Sequence, residues 1–155
     1  MKYIILIISL LISTQTFSQE DLYNRVEEMP RFPGCENVEG TVGEKTKCSN
    51  DKLIEYMYNH VQYPKAAQLA GVEGVVVIQF VIDKMGVIQD AQIVREIGES
   101  CGSEALRIVN EMADAGIKWR PGIENGNPVD VQFTLPVNFK LEGEAKKDAN
   151  SSGDE

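Results

Sequence analysis

The stretch VDVQFTLPVNFKL, residues 129–141, has the clearest periodicity in the chain. Its odd-numbered positions are all apolar, and its even-numbered positions are polar except for Pro136. An alternation with a period of two is typical of a β-strand that buries one face. Proline has no N–H to give to a ladder and is tolerated on an edge strand when the missing donor would face outward. The stretch therefore predicts an edge strand with one side open.

Two further strands are predicted upstream of this one. The runs GVVVIQFVID (residues 74–83) and VIQDAQIVREI (residues 87–97) flank the turn DKMG, which is the pattern of a β-hairpin. Three antiparallel strands cannot bury both of their faces alone, so helices should cover one face. The predicted fold class is α+β, a two-layer domain with a three-stranded antiparallel sheet packed against two or three helices.

Three helices are predicted around these strands. The first starts near Asp51 with Ser49 or Asn50 as its N-cap, Pro64 opens a short second one, and residues 104–112 form the third. An apolar stripe at helical spacing should turn the first helix toward the core. Its members are Leu53, Ile54, Met57, Tyr58 and Val61.

The two ends of the chain differ from this domain of residues 51–141. The first 18 residues read as a secretory signal peptide, since Lys2 precedes an apolar run and small residues mark a cleavage site after Ser18. The apolar run is about ten residues long and a membrane span needs roughly 20, so an uncut anchor is the alternative. Residues 19–50 are predicted to be an irregular segment, and the acidic residues 142–155 are predicted to be a disordered tail.

The composition argues against several function classes. The chain has 155 residues and a net charge of −9, which disfavours nucleic acids and anionic membranes as partners. His60 is the single histidine, no cluster of metal-ligand type occurs, and no nucleotide-binding glycine pattern is present. A thiol nucleophile at Cys101 is opposed by the nearby Glu99 and Glu104. We therefore predict no enzyme, no catalytic residue, no metal and no cofactor.

The three cysteines allow more than one pairing. Cys35 and Cys48 bracket a polar, glycine-containing loop, and export would permit a disulfide between them. That pairing is favoured, and it would leave Cys101 as a buried thiol or a link to another chain. Bridges from Cys101 to Cys35 or to Cys48 are the alternatives.

A set of motifs resembles a known family. The block YPKAAQLAGVEGVVVIQFVIDKMGVIQDAQIVREIGES, followed by EALRIV, KWRPG and GNPVDVQFTLPVNFKL, resembles the C-terminal domain of TonB-family energy transducers over roughly residues 61–141. The upstream MPRFPGC and the FSQ ending of the signal peptide resemble stand-alone members of Bacteroidetes type.

The resemblance implies a periplasmic protein that grips a plug peptide, the TonB box, of an outer-membrane TonB-dependent transporter. Energised uptake of siderophores, cobalamin or glycans would be the process served. The box would add a strand beside the last strand of the domain, by β-augmentation. The implied partner-binding residues are Gln62, Tyr63, Pro64, Val131, Gln132, Phe133, Thr134, Leu135, Pro136, Val137 and Asn138.

Two departures from the family keep alternatives open. A force-transmitting protein needs an anchor and a long span, and this chain has neither if the signal peptide is cut; an uncut N-terminus would anchor it in the inner membrane. A cut chain would instead cap or compete for plug peptides, or serve as a subunit beside an anchored complex of TonB/ExbB/ExbD type. The alternative function is an exported structural or self-associating module without a transport role, in which the edge strand pairs with its own copy in a homodimer.

Overall fold

The computed structural model describes residues 22–141. The signal peptide predicted over residues 1–18 and the tail predicted over residues 142–155 lie outside this range and stay predictions. The described elements are, in chain order, α1 (Val42–His60), α2 (Lys65–Ala70), β1 (Gly74–Ile82), β2 (Ile88–Arg95), α3 (Cys101–Asp114), β3 (Gly122–Glu124), β4 (Asn127–Val129) and β5 (Val131–Phe139).

The main sheet has three antiparallel strands in the order β2–β1–β5. Burial alternates along β1 and along β5 from Thr134, and α3 packs against β1 and β2 on one face of the sheet. The α+β fold class predicted from the sequence is confirmed. The strand predicted at the end of the chain occupies one outer position of the sheet.

The core lies between the sheet and the helices. Aromatic rings connect its parts: Trp119 packs edge-on against Phe32 and Phe133, with ring centroids 5.4 and 5.1 Å apart, and Phe80 lies 5.9 Å from Trp119. Phe32 belongs to the segment before α1, so that segment completes the core. The largest fully buried side chains are Phe80, Ile78, Ile82, Ile108, Met112, Val76, Val109, Val131 and Cys101.

The first helix begins earlier than the sequence analysis predicted. Its N-cap is Thr41, whose hydroxyl accepts from the Glu44 N–H while the Glu44 carboxylate accepts from the Thr41 N–H. This reciprocal capping box satisfies two donors of the first turn. The predicted caps Ser49 and Asn50 lie inside the helix, and the part of the predicted irregular segment after Thr41 is helical.

The predicted apolar stripe of α1 is wrong in two members. Leu53 and Met57 are buried, whereas Ile54 is 66% and Tyr58 73% exposed. A helix that touches the core along a narrow line buries one residue per turn there and leaves its i+1 neighbours outside. Ile54 and Tyr58 are those neighbours.

Residues 22–31 form what we call the strap, an extended segment that runs along the short hairpin β3–β4 and the start of β5. Backbone hydrogen bonds link Glu28 reciprocally to Ile123 and Arg31 to Arg120. The strands predicted from the sequence do not include this hairpin.

The disulfide joins Cys35 to Cys48, which are 6.1 Å apart at their Cα atoms. It therefore ties the loop after the strap to the second turn of α1. Cys101 carries a free thiol and is fully buried at the start of α3. The two alternative pairings through Cys101 do not occur in this structure.

Candidate functional site

Strand β5 is an edge strand with a regular ladder on one side only. Its nine residues pair with β1 from Ile82↔Val131 to Gly74↔Phe139 without a register shift. In the sheet order β2–β1–β5, no further named strand of residues 22–141 follows β5. One full row of its backbone groups therefore points away from the sheet.

Hydrogen bonds from the strap show which residues of β5 contribute backbone groups to that outer row. The Gln132 N–H donates to the Tyr23 carbonyl (2.7 Å), and the Tyr23 N–H donates to the Asp130 carbonyl (3.0 Å). The backbone N–H and C=O groups of Asp130 and Gln132 thus point away from β1. Along a strand, this direction alternates from one residue to the next. Thr134, Pro136 and Asn138 are also even-numbered, so their backbone groups point outward as well. The ring nitrogen of Pro136 therefore lies on the outer edge, where no ladder bond is lost.

Beyond Tyr23, the outer edge is unpaired as far as residues 22–141 are concerned. Within this range, Thr134 and Asn138 retain outward N–H donors, and Pro136 retains an outward carbonyl. Exposed main-chain donors and acceptors in a row are a template for an added strand.

The side chains of the edge are uncharged and divided between two faces. Thr134, Pro136 and Asn138 are exposed on the face away from the helices, whereas Leu135 and Val137 are buried on the other. The open face continues onto β1 through half-buried residues opposite them. These are Val75, Val77, Gln79 and Val81.

The opposite edge of the sheet is less suited to an added strand. Pairing of β1 with β2 shifts register twice, between Val77 and Ile78 and between Gln79 and Val81. Asp90 of β2 has a φ of 51°, a conformation that non-glycine residues rarely adopt. Bulges twist an edge and interrupt its regular row of donors, which protects it against pairing. The regular pairing register of β5 therefore makes it the better site for an added strand, compared with β2.

The segment Gln62-Tyr63-Pro64 links α1 to α2, and its tyrosine contacts the predicted strand. The Tyr63 ring packs edge-on against Phe139 with centroids 5.4 Å apart, and its hydroxyl donates to the Val72 carbonyl. Pro64 is the N-cap of α2 with a φ of −59°. Tyr63 thus fixes the last residue of β5 from the helical side.

Gln62 is held by a different partner, on α3. Its N–H donates to Glu104 (2.7 Å), whose carboxylate also receives two bonds from Arg107 (2.8 Å each). Burial acts to raise the pKa of Glu104, but the bonds from Arg107 and Gln62 outweigh it, and the pKa is lowered. Arg107 also donates to the His60 carbonyl (2.9 Å). This network joins the end of α1 to α3, and the hydrogen-bond partner of the Gln62 N–H lies on α3.

The residues weighed as catalytic are in structural roles. Burial raises the pKa of the Cys101 thiol, and the carboxylates of Glu96 and Glu99 raise it further. The His60 ring stacks on Tyr56 with centroids 3.9 Å apart, and its Nδ1 lies 2.7 Å from the Tyr56 carbonyl. Across residues 22–141, no cluster of three metal-binding side chains occurs. No helix in that range is both long and apolar enough to cross a bilayer.

Sequence reasoning missed the contact between Tyr23 and the start of β5. The contact joins residues more than 100 positions apart through backbone hydrogen bonds. No side-chain pattern near Tyr23 signals such a pairing.

Comparison with known sequences identifies one family. The profile described as "Gram-negative bacterial TonB protein C-terminal" matches residues 59–141. Protein TonB of Vibrio cholerae serotype O1 is 35% identical over 82 residues, which are 53% of this chain and 32% of that protein. The chain thus spans about a third of the length of that relative.

Comparison with solved structures gives weaker likenesses. The NMR solution structure of Helicobacter pylori TonB-CTD is 22% identical, covers 61% of this chain and 96% of its own, and has a TM-score of 0.44. The solution NMR structure of Pseudomonas aeruginosa TonB CTD is 31% identical, with coverages of 54% and 80% and a TM-score of 0.38. At these scores the structural superpositions add nothing to the sequence match.

Proposed function

The chain belongs to the family of Gram-negative bacterial TonB C-terminal domains, and from this we propose that its β5 edge docks a peptide segment of an outer-membrane transporter by β-augmentation. The family match includes all of β5 and the Gln62-Tyr63-Pro64 segment. It also begins after most of α1, so the strap and the disulfide lie outside it. The family is non-enzymatic, and the chain is not an enzyme.

The observation that carries the proposal is the outer row of β5 from Phe133 to Phe139, which is unpaired within residues 22–141. Thr134 and Asn138 offer N–H donors, and the intervening Pro136 offers only a carbonyl. A docked strand would therefore receive bonds on both sides of the proline and leave one of its own carbonyls unbonded opposite it. Main-chain bonds of this kind supply affinity, and the neighbouring side chains supply selectivity.

The chemistry of the edge favours an extended peptide of low charge. Its outward side chains are uncharged, and the open face beside them is lined by half-buried valines of β1. A docked segment would alternate its side chains between this open face and the rim of the core near Phe133. Such a segment fits the plug of a TonB-dependent transporter better than a charged helix or a nucleic acid.

The wider setting of this docking is also proposed. The domain would work in the periplasm, where a transporter plug is accessible, and would serve energised uptake of siderophores, cobalamin or glycans. Force would come from an inner-membrane complex of TonB/ExbB/ExbD type, through an uncut N-terminus or an anchored neighbour protein. Tyr63 would support the site indirectly, since it holds Phe139 at the end of the docking strand.

The test is a titration of the full chain with synthetic plug-segment peptides from TonB-dependent transporters. Thr134→Pro removes an outward donor, whereas the matched control Thr134→Val keeps it and changes only the side chain. We expect peptide binding to weaken about tenfold in Thr134→Pro, from loss of roughly one hydrogen bond and a poorer fit, and to stay within about twofold in Thr134→Val.

Two outcomes would contradict the proposal. One is that no plug peptide binds; the other is that a peptide binds and Thr134→Pro leaves its affinity unchanged. Size-exclusion chromatography with light scattering on the same samples tests self-association. A dimer that becomes a monomer in Thr134→Pro would show that the edge binds a second copy of the chain instead of a transporter.

A further inference from the structure

The strap ends on the proposed docking edge. Tyr23 pairs in parallel with Val131, and its two backbone bonds occupy the Asp130 carbonyl and the Gln132 N–H. The strap thus adds a short strand of its own to the first part of the β5 edge. From Phe133 to Phe139 the edge is open within residues 22–141.

The two parts of the strap are held very differently. Residues 27–31 make paired backbone bonds at Glu28 and Arg31, and the Glu27 N–H donates to the Glu124 carboxylate (2.9 Å). Next in sequence, the buried Phe32 and the disulfide at Cys35 secure the chain further.

By contrast, the tip, residues 22–24, makes a single bridge within residues 22–141. Leu22 is 49% exposed, Asn24 is exposed, and Tyr23 is half-buried. Segments with few buried contacts and few backbone bonds open locally at low free-energy cost, while well-anchored segments open only with the whole fold. The anchored part therefore keeps the tip close to the edge even when the tip is detached.

We propose that the tip is a detachable cover on the β5 edge that competes with the docked peptide for the Val131 end. With the tip in place, a docked strand reaches only from Phe133 to Phe139; with the tip displaced, pairing extends to Val131. This inference deepens the proposed docking function and rests on it for the identity of the competitor. The detachment itself is a property of this chain and stands without any peptide.

The anchored strap makes the competition efficient. A tip tethered a few residues away has a high effective concentration at the edge, so a weak pairing suffices to hold it there. A peptide must displace this tethered strand to form hydrogen bonds with the Asp130 carbonyl and the Gln132 N–H. Docking affinity is then set partly by the chain's own N-terminal segment, which the family match does not include.

Backbone hydrogen exchange of the full chain tests detachment directly. We expect the Gln132 amide, which the tip protects, to exchange at least about 100-fold faster than the Leu135 amide, which faces β1. Tyr23→Pro, which removes the donor of the bridge, should speed Gln132 exchange further, and the control Tyr23→Val should not. Exchange of Gln132 at the rate of Leu135 would overturn the inference, since the tip would then open only with global unfolding.

Binding of plug-segment peptides tests the competition. We expect Tyr23→Pro to bind such peptides about tenfold more tightly than the wild type, with Tyr23→Val within about twofold of it. Weaker binding by Tyr23→Pro would show that the tip supports the docked strand, and equal binding would show that it does not compete; both overturn the inference. If no peptide binds to any variant, the docking function fails, and Gln132 exchange alone decides whether the tip detaches.

Discussion

Single side chains outside the docking edge fix the geometry of the helices behind it. Glu96 lies before α3, and its carboxylate accepts from the N–H groups of Ile97, Gly98 and Gly102 at 2.8–3.1 Å. Ser100, the formal N-cap, makes no side-chain cap bond. Burial acts to raise the pKa of Glu96, but these backbone bonds outweigh it and lower the pKa. A carboxylate thus performs the capping from outside the helix.

Glu96→Gln should lower the free energy of unfolding by about 1 kcal/mol at neutral pH, near the low end for a cap because solvent screens this exposed side chain. A carboxylate with a lowered pKa in the folded state stabilises fully above its unfolded-state pKa, and this stabilisation disappears as pH falls through the folded-state value. The difference between wild type and Glu96→Gln in urea unfolding should therefore shrink with acidification. Glu99→Gln, which removes a neighbouring carboxylate outside this network, is the control. A difference that stays constant down to the acid limit would contradict the assignment.

Gly86 is required by close backbone contact. It has a φ of 79°, and a Cβ there would collide with the Trp119 carbonyl; the Trp119 N–H donates to the Gly86 carbonyl (2.9 Å). Gly126 has a similar φ of 73° with open space around it. Gly86→Ala should lower the free energy of unfolding by about 3 kcal/mol and Gly126→Ala by about 1 kcal/mol. Equal losses in chemical denaturation would mean that the contact with Trp119 does not constrain this turn.

At the scale of elements, the sequence of β5 predicted both its buried face and its edge position, and the alternating pattern was sufficient for the first. Pro136 supplied the second piece, because a proline in the middle of a sheet would remove a ladder bond. The Thr41 and Glu44 pair is a capping-box spacing, so the true start of α1 was also readable. It was missed because the first turns of α1 carry lysines and no apolar period.

Other features of the site could not be predicted from local sequence patterns. The pairing of Tyr23 with Val131 depends on backbone atoms brought together by the whole fold. Exposure of Ile54 and Tyr58 depends on how narrow the contact of α1 with the core is. Likewise, the bond from the Gln62 N–H to Glu104 joins residues that are 42 positions apart in the sequence. Local patterns predict elements, and long-range packing decides which of their residues meet.

Proline substitutions along β5 should reproduce the alternation of its backbone. Thr134→Pro removes an outward N–H and should lower the free energy of unfolding by about 1 kcal/mol or less. Val137→Pro removes an N–H of the ladder to Val76 and should cost about 3 kcal/mol beyond the Val137→Ala control, which accounts for the lost side chain. Urea denaturation measures both. A costly Thr134→Pro would place that N–H inside the ladder.

For the whole molecule, residues before the family match complete the fold. Phe32 packs on Trp119, and the Cys35–Cys48 disulfide holds the adjoining loop on α1. The bridge spans a sequence separation of 13 residues. The segment is therefore part of the domain core, and its residues 22–24 are placed to compete for the docking edge.

Replacing both Cys35 and Cys48 by alanine should lower the free energy of unfolding by about 3 kcal/mol, the chain-entropy value for a loop of this size. Thiol titration without reductant should find no reactive thiol in the native protein and one per chain after denaturation, because Cys101 is buried and free. Three titratable thiols after denaturation would show that the bridge is absent.

The most direct measurement of the central claim is amide NMR of the isotope-labelled full chain during titration with a plug-segment peptide. We predict that the outward amides of Thr134 and Asn138 shift first and become protected from exchange, while the inward amides of Leu135 and Val137 keep their protection. Protection appearing on β2 or on the helices, with Thr134 and Asn138 unchanged at saturation, would contradict docking at the β5 edge.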